Sequence, residues 1–330
     1  MELRTTFNIE PSQFKIGYND KAMFIGSCFA SAIGSKMEMG RMPVIVNPAG
    51  AVYNPVSVSN TLDNIISKKE FVIDDLYNHE GTYLSFFHNT DFSSDDPARV
   101  LERINTKSRE AYNFISSAGF LFITLGTARV YRWKKNGLIV SNCHKIPSAY
   151  FEPELLTVNE IVTLWTRQLD RLHSIFPDLK IIFTISPVRH WKDGAHGNQI
   201  SKSILFLAIE ELLKHPASYC YFPAYELIMD DLRDYRFYND DMLHPSSTAI
   251  NYIWEAFAEC FIEKKTLEIW REVMKITKAC SHRINMDSPV GIRKFAEKML
   301  DQISDVTAKE PSINLAAETN YFTSLLSKSV

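Results

Sequence analysis

Two stretches far apart in the chain carry the residues that could do covalent chemistry. In KAMFIGSCFASAIGSKM, residues 21–37, an apolar run ends at Gly26, and Ser27 and Cys28 follow before a helical pattern begins. In YNDDMLHPSS, residues 238–247, Asp241 precedes His244 by three positions. A serine hydroxyl is a weak nucleophile until a neighbouring base takes its proton. His244 is the best candidate base, and one short loop lets Asp241 fix the imidazole tautomer and favour the imidazolium. At a helix start Ser27 would also face unpaired N–H groups and the positive end of the helix dipole, which suits a developing oxyanion. That chemistry is acyl transfer through a serine. The plainer readings are a helix N-cap for Ser27 and an ordinary loop histidine for His244. Cys28 is the more nucleophilic type when ionised, but the next position on such a turn points elsewhere, so it reads as a small buried residue or a redox-sensitive thiol.

Residues 27 and 244 can meet only if the fold brings them to one edge. Short apolar runs alternate with longer periodic ones: AMFIG (22–26), MPVIV (42–46), GFLFITLG (119–126), LKIIFTISP (179–187) and SYCYFPA (218–224) read as strands. Helical patterns stand at 29–39, 55–68, 96–118, from Thr157 to about 173, near 199–215, at 226–232 and after Ser246-Ser247. Thr157 and Glu160 have capping-box spacing. In RVYRWKKNGLIVSN, Asn136-Gly137 predicts a hairpin with a two-residue type I′ turn. Uncharged strands separated by helices imply βαβ units, hence a mostly parallel sheet of about five strands covered on both faces. Ligands of such sheets bind at the carboxyl ends of the strands. The residues there are Ser27-Cys28, Asn47 to Gly50, Thr124 to Arg129, Ser186 to His190 and, later, Tyr238 to Ser247.

With 330 residues, 45% of them hydrophobic, the chain can bury a large core. Its net charge of -3 and pI near 6.3 give no field that would mark a nucleic-acid or membrane-surface binder. No apolar run approaches the roughly 20 residues of a membrane-spanning helix, and the N-terminus lacks a basic region followed by an apolar one. The 5 cysteines are scattered without a CxxC pair, which favours free thiols and a cytoplasmic setting. Cys143-His144 and the pair His190 and His196 do not match zinc spacings, and no phosphate loop follows the first strand. No metal and no cofactor is therefore expected. Residues 1–262 read as the α/β domain and 263–330 as a helical appendage, its last ~20 residues polar enough to be flexible.

Together GSCFA (26–30), NPAG to YNP (47–55), TLGTA (124–128), NCHK (142–145), SPVRH (186–190) and DDMLHP (240–245) resemble the GSCFA-domain family, which is similar to the SGNH, or GDSL, hydrolases. The resemblance implies a flavodoxin-like three-layer α/β/α sandwich with a catalytic triad of Ser27, Asp241 and His244. It also implies an oxyanion contact from the glycine after strand two, Gly50. The third block of the wider superfamily, G-x-N-D, stands here as Gly126-Thr127-Ala128-Arg129, so the asparagine donor is missing. Loss of one such donor costs about 2.7–4 kcal/mol of transition-state stabilisation. Asn47, Asn54 and Thr127 are the candidates to replace it. His144, Arg189 and His190 lie in segments that the resemblance also picks out and are expected near the substrate. The expected function is a serine esterase or acylhydrolase acting on a small-molecule or carbohydrate ester. An acyltransferase with the same triad and an inactive binding module, suggested by Ala128, are the alternatives.

Overall fold

A computed structural model of the chain describes residues 4–215, 219–281 and 289–328. Its strands are β1 (Ala22–Gly26), β2 (Val44–Val46), β3 (Tyr77–His79), β4 (Thr82–Leu84), β5 (Phe120–Leu125), β6 (Arg129–Trp133), β7 (Ile139–Val140), β8 (Phe151–Leu155), β9 (Lys180–Ile185) and β10 (Tyr219–Phe222). Its helices are α1 (Cys28–Met39), α2 (Pro55–Ile66), α3 (Pro97–Ile115), α4 (Val158–Ile175), α5 (Gly194–Leu213), α6 (Ala224–Glu226), α7 (Ser247–Phe261), α8 (Lys264–Ser281), α9 (Pro289–Lys309) and α10 (Ala316–Lys328). The chain forms two compact units. One comprises Met1–Asn8, Lys21–Gly34 and Ile45–Ile253, the other Ile9–Asp20, Ser35–Val44 and Trp254–Val330.

The first unit is α/β. Five strands form a parallel sheet in the order β10-β9-β5-β1-β2, flanked by helices. Every residue of β1 and of β5 is buried, as the unbroken apolar runs require of strands covered on both faces. Alternation then divides each strand between two faces. Met23 and Ile25 join the large core with Leu62, Trp165 and Leu205 of the helices, while Phe24 stacks on Phe122 at 4.5 Å. Gly26 lies opposite Thr124 in the register of β1 and β5. Because β2 and β5 leave β1 on opposite sides, the chain order reverses here, which is where open α/β sheets hold their ligands.

Between β5 and α4 the chain inserts an antiparallel sheet in the order β7-β6-β8. The expected hairpin of β6 and β7 is present, but not its two-residue type I′ turn. Trp133 and Leu138 close a longer loop in which, of the Asn-Gly pair, only Gly137 has positive φ, at 76°. β8 was not expected from sequence, since Pro153 and two glutamates hide it. It pairs with β6 alone, at the sheet's edge, where a proline is tolerated. The capping box at Thr157 and Glu160 forms as its spacing predicts.

The second unit contains α8, α9 and α10. Ala296, Met299, Ile303 and Val306 bury one stripe of α9, spaced by three and four as on one face of a helix. The polar segment expected to be flexible carries α10, whose Phe322 is fully buried and whose Glu318 pairs with Arg41. Ser218, His282, Arg283, Ser329 and Val330, parts of the expected strand five and of the appendage, lie outside the described residues. All 5 cysteines are free thiols, and no described helix is long and apolar enough to cross a membrane.

Candidate active site

The turn after β1 depends on Gly26. Its φ is +146°, and a Cβ there would stand 2.2 Å from the Thr124 carbonyl oxygen, so no other residue fits. Ser27 follows, only 1% exposed. Its N–H donates to Thr124 O at 3.2 Å. Its Oγ accepts the Phe29 N–H at 3.3 Å, so Ser27 does cap helix α1, as the plainer reading had it. Capping does not remove the hydroxyl from the site, because Ser27 also lines the largest cavity at this rim. Cys28 lines the same cavity, its thiol pushed up mainly by burial.

The loop before α7 is folded on its own backbone: Asn239 N–H donates to His244 O at 2.8 Å, and Ser246 N–H to Phe237 O at 2.8 Å. Asp241 organises its centre. Its Oδ1 accepts the N–H groups of Leu243 and His244, each at 2.9 Å, and its Oδ2 stands 2.6 Å from His244 Nδ1. These bonds, the backbone ones first, hold the Asp241 carboxyl at about 2, so it is ionised at neutral pH and accepts the Nδ1 proton. His244 Nε2 is then the lone-pair nitrogen. His244 lines the same cavity as Ser27, although each side chain makes other hydrogen bonds here, Ser27 with Phe29 and His244 with Asp241.

One turn of α5 ties down the remaining rim. Ser201 Oγ accepts the Ala128 N–H at 2.7 Å and stands 2.9 Å from Thr127 Oγ1. Asn198 Oδ1 accepts the His190 N–H at 2.9 Å. Lys202, fully buried, donates from Nζ to Ser186 O at 2.6 Å. Burial lowers its ammonium to about 7. Sequence reasoning missed this trio. The signal was present, because Asn198, Ser201 and Lys202 share the helical spacing of the apolar residues Leu205, Ile209 and Leu212, and a lysine on such a stripe is a buried one.

The cavity, about 790 Å³, brings together Ser27, Asn54, Thr127, His144, Arg189, His190 and His244 of the predicted residues. Asp241 stands behind His244, and Asn47, Gly50 and Gly126 are not in the lining. The N–H of Gly50, the expected oxyanion donor, is engaged by Asn47 O at 2.7 Å, and that of Gly126 donates to Tyr53 O at 2.7 Å. Asn47 accepts the Gly26 N–H at 2.8 Å and donates to Ser31 Oγ at 2.8 Å, bracing the turn instead. Thr127 is bonded to Ser201 and Arg129. Asn54 differs: its Oδ1 caps α2 by accepting the Ser57 N–H at 2.8 Å, while its Nδ2 has no bond among the described residues. The Ala128 side chain is fully buried in the core, so position 128 does not face the cavity. His190 packs edge-on against Tyr53 at 5.7 Å, and burial, with the Lys202 and His244 charges, lowers it to about 4. His144 holds Ser85 O at 2.9 Å through Nε2, and burial lowers its pKa. Among the described residues no group of three or more His, Cys, Asp or Glu is placed to hold a metal.

The profile of the GSCFA family matches residues 21–257, a span that contains Ser27, Asn54, Asp241 and His244. No curated protein matches the chain. Among solved structures, a family 3 carbohydrate esterase from Clostridium thermocellum is 9% identical with a TM-score of 0.36, covering 77% of this chain and 98% of its own. A carbohydrate esterase of family 3 from Talaromyces cellulolyticus is 8% identical with a TM-score of 0.36, covering 77% and 99%.

Proposed function

The chain belongs to the GSCFA family, and on that premise we propose that it is a serine esterase. In this scheme His244 Nε2 takes the proton of Ser27 Oγ as the oxygen attacks an ester carbonyl. Asp241 keeps Nδ1 protonated and stabilises the imidazolium, which then protonates the leaving alcohol. Water enters, His244 removes its proton, and the acyl group leaves as a carboxylic acid while Ser27 recovers its hydrogen. The observation that carries this reading is the shared cavity of Ser27 and His244, with His244 Nδ1 tied to Asp241 at 2.6 Å.

One oxyanion donor is Asn54, a candidate the sequence already offered, and the backbone donor moves from Gly50 to Cys28. Asn54 Nδ2, in the lining, has no bond among the described residues, and the Cys28 N–H is the first of α1, one of the helix-start donors that no carbonyl four residues earlier in the helix can reach. These two groups serve in place of Gly50 and of an asparagine at 128. Hydrolysis is favoured over transfer because His244 and Asp241, each with 47% of the side chain exposed, leave water a path to the base.

The test is turnover of p-nitrophenyl acetate by the purified protein. Ser27→Ala and His244→Ala should each lower kcat by about 10³-fold or more while the melting temperature stays near that of the parent. Undiminished turnover in either variant would refute the assignment.

A further inference from the structure

The cavity's charge is opposite to the chain's. The whole protein carries a net charge of -3, yet Arg129, Lys145, Arg189 and Lys192 line the cavity with Asp193 as the single carboxylate. Asp193 lies 3.3 Å from Arg129 Nε. Lys145, Arg189 and Lys192 are left without a carboxylate partner among the described residues. Among the described residues the buried Arg189 Nε has no acceptor, and its Nη2 donates to Ala195 O at 3.4 Å. A guanidinium with unmet donors is the side chain best shaped for a carboxylate or phosphate.

Two further features show that the arrangement is built. His144 and Lys145 are both left-handed, with φ of 50° and 62°, a costly backbone for two successive non-glycine residues. The turn is held by Asn142 Oδ1, which accepts the His144 N–H at 2.8 Å, and by His144 Nε2 on Ser85 O at 2.9 Å. This strained turn puts an exposed lysine into the lining. Beside it, Trp191 of the lining is 53% exposed, with the Arg189 guanidinium 5.5 Å over its ring, and Tyr131 is 37% exposed, so aromatic surface is left on which a sugar ring can stack.

We propose that the cavity takes an ester whose alcohol part is an anionic sugar, its carboxylate or phosphate held by Lys145, Arg189 and Lys192. The proposal rests on the esterase reading for the reaction, but its binding step can be measured without turnover.

The probes are three singly O-acetylated sugars: methyl glucoside, methyl glucuronoside and glucose 6-phosphate. Affinities are read by calorimetry on the Ser27→Ala protein, which leaves them intact. The anionic pair should bind about tenfold or more tightly than the neutral sugar, and the tighter of the two identifies the anion. Raising salt from about 20 to about 300 mM should shrink the preference. Lys145→Ala with Lys192→Ala, both at exposed positions, should bring the ratio towards one. Equal affinities for all three, or a ratio that survives the double substitution, would overturn the proposal. Acetate release by the unmodified protein separates the two readings. Equal kcat/KM on neutral and anionic esters would sink the anion preference and leave the esterase. No release from any ester, with the binding preference intact, would do the reverse.

Discussion

In the helical unit the buried carboxylate of Glu318 is met by the Arg41 guanidinium, Nε to Oε1 at 2.8 Å. In the α/β unit the fully buried Lys202 has no carboxylate partner among the described residues; it donates to the Ser186 carbonyl oxygen at 2.6 Å and stands 5.7 Å over the Tyr225 ring. The first arrangement compensates a charge taken out of water; the second gives it no carboxylate, and burial pulls the ammonium down to about 7. Glycines show the same contrast. Gly40 is fixed by packing, since a Cβ would stand 1.9 Å from the Trp270 ring. Gly26 is fixed by backbone, with a +146° φ and the Thr124 carbonyl at 2.2 Å, in the turn that presents Ser27. The helical unit pairs its buried carboxylate, whereas the rim of the α/β unit leaves Lys145, Arg189 and Lys192 without a carboxylate partner among the described residues, where chemistry would use them.

The largest effect should separate the two glycines. Gly26→Ala displaces Ser27 and should abolish esterase activity, with a loss of about 3 kcal/mol or more in urea unfolding. Gly40→Ala should lower stability through the Trp270 ring yet keep kcat in the fraction that remains folded. Equal loss of specific activity in both would break the comparison.

Asp241→Asn comes next and should lower kcat by up to about 10⁴-fold by disturbing the His244 tautomer, measured on p-nitrophenyl acetate. Asn54 follows. Asn54→Asp keeps an oxygen for the Ser57 N–H but removes the Nδ2 donor, so kcat should fall about 10²–10³-fold while the melting temperature holds. If kcat is unchanged, Asn54 is a cap and nothing more.

The smallest effect is on stability against pH. Lys202 has a folded pKa near 7, below the ordinary 10.5 of the unfolded chain. Between those values the unfolded state binds more protons, so stability should rise with pH from about 7 to about 10.5 and be flat below. Lys202→Met removes this contribution. Urea midpoints at about pH 6 and pH 9 should therefore show the parent gaining on the variant as pH rises. A constant difference would mean that Lys202 stays charged or is wetter than its burial implies.

Much of the fold was legible because β1 has no polar side chain and β5 and β9 are mostly apolar, and only a doubly covered sheet buries such runs. β8 was not, since Pro153 is tolerated only through its place on an edge that other strands define. The Asn136-Gly137 pair signalled a turn, but loop length is set by the pairing of Trp133 with Leu138. In the candidate site, type and spacing pointed to Ser27 and His244, which line one cavity, and to Asp241, which stands behind His244. The engagement of the Gly50 N–H by Asn47 O depends on a local bond that composition cannot display. Lys202 was overlooked because lysines are read as solvated by default, although its place on the apolar stripe of α5 said otherwise.

The most direct measurement is the site of covalent capture by a fluorophosphonate, mapped by peptide mass spectrometry. A catalytic serine activated by His244 predicts one phosphonyl group on Ser27, lost in His244→Ala. An adduct on Cys28, or no adduct on a folded protein that binds its ligands, would contradict it.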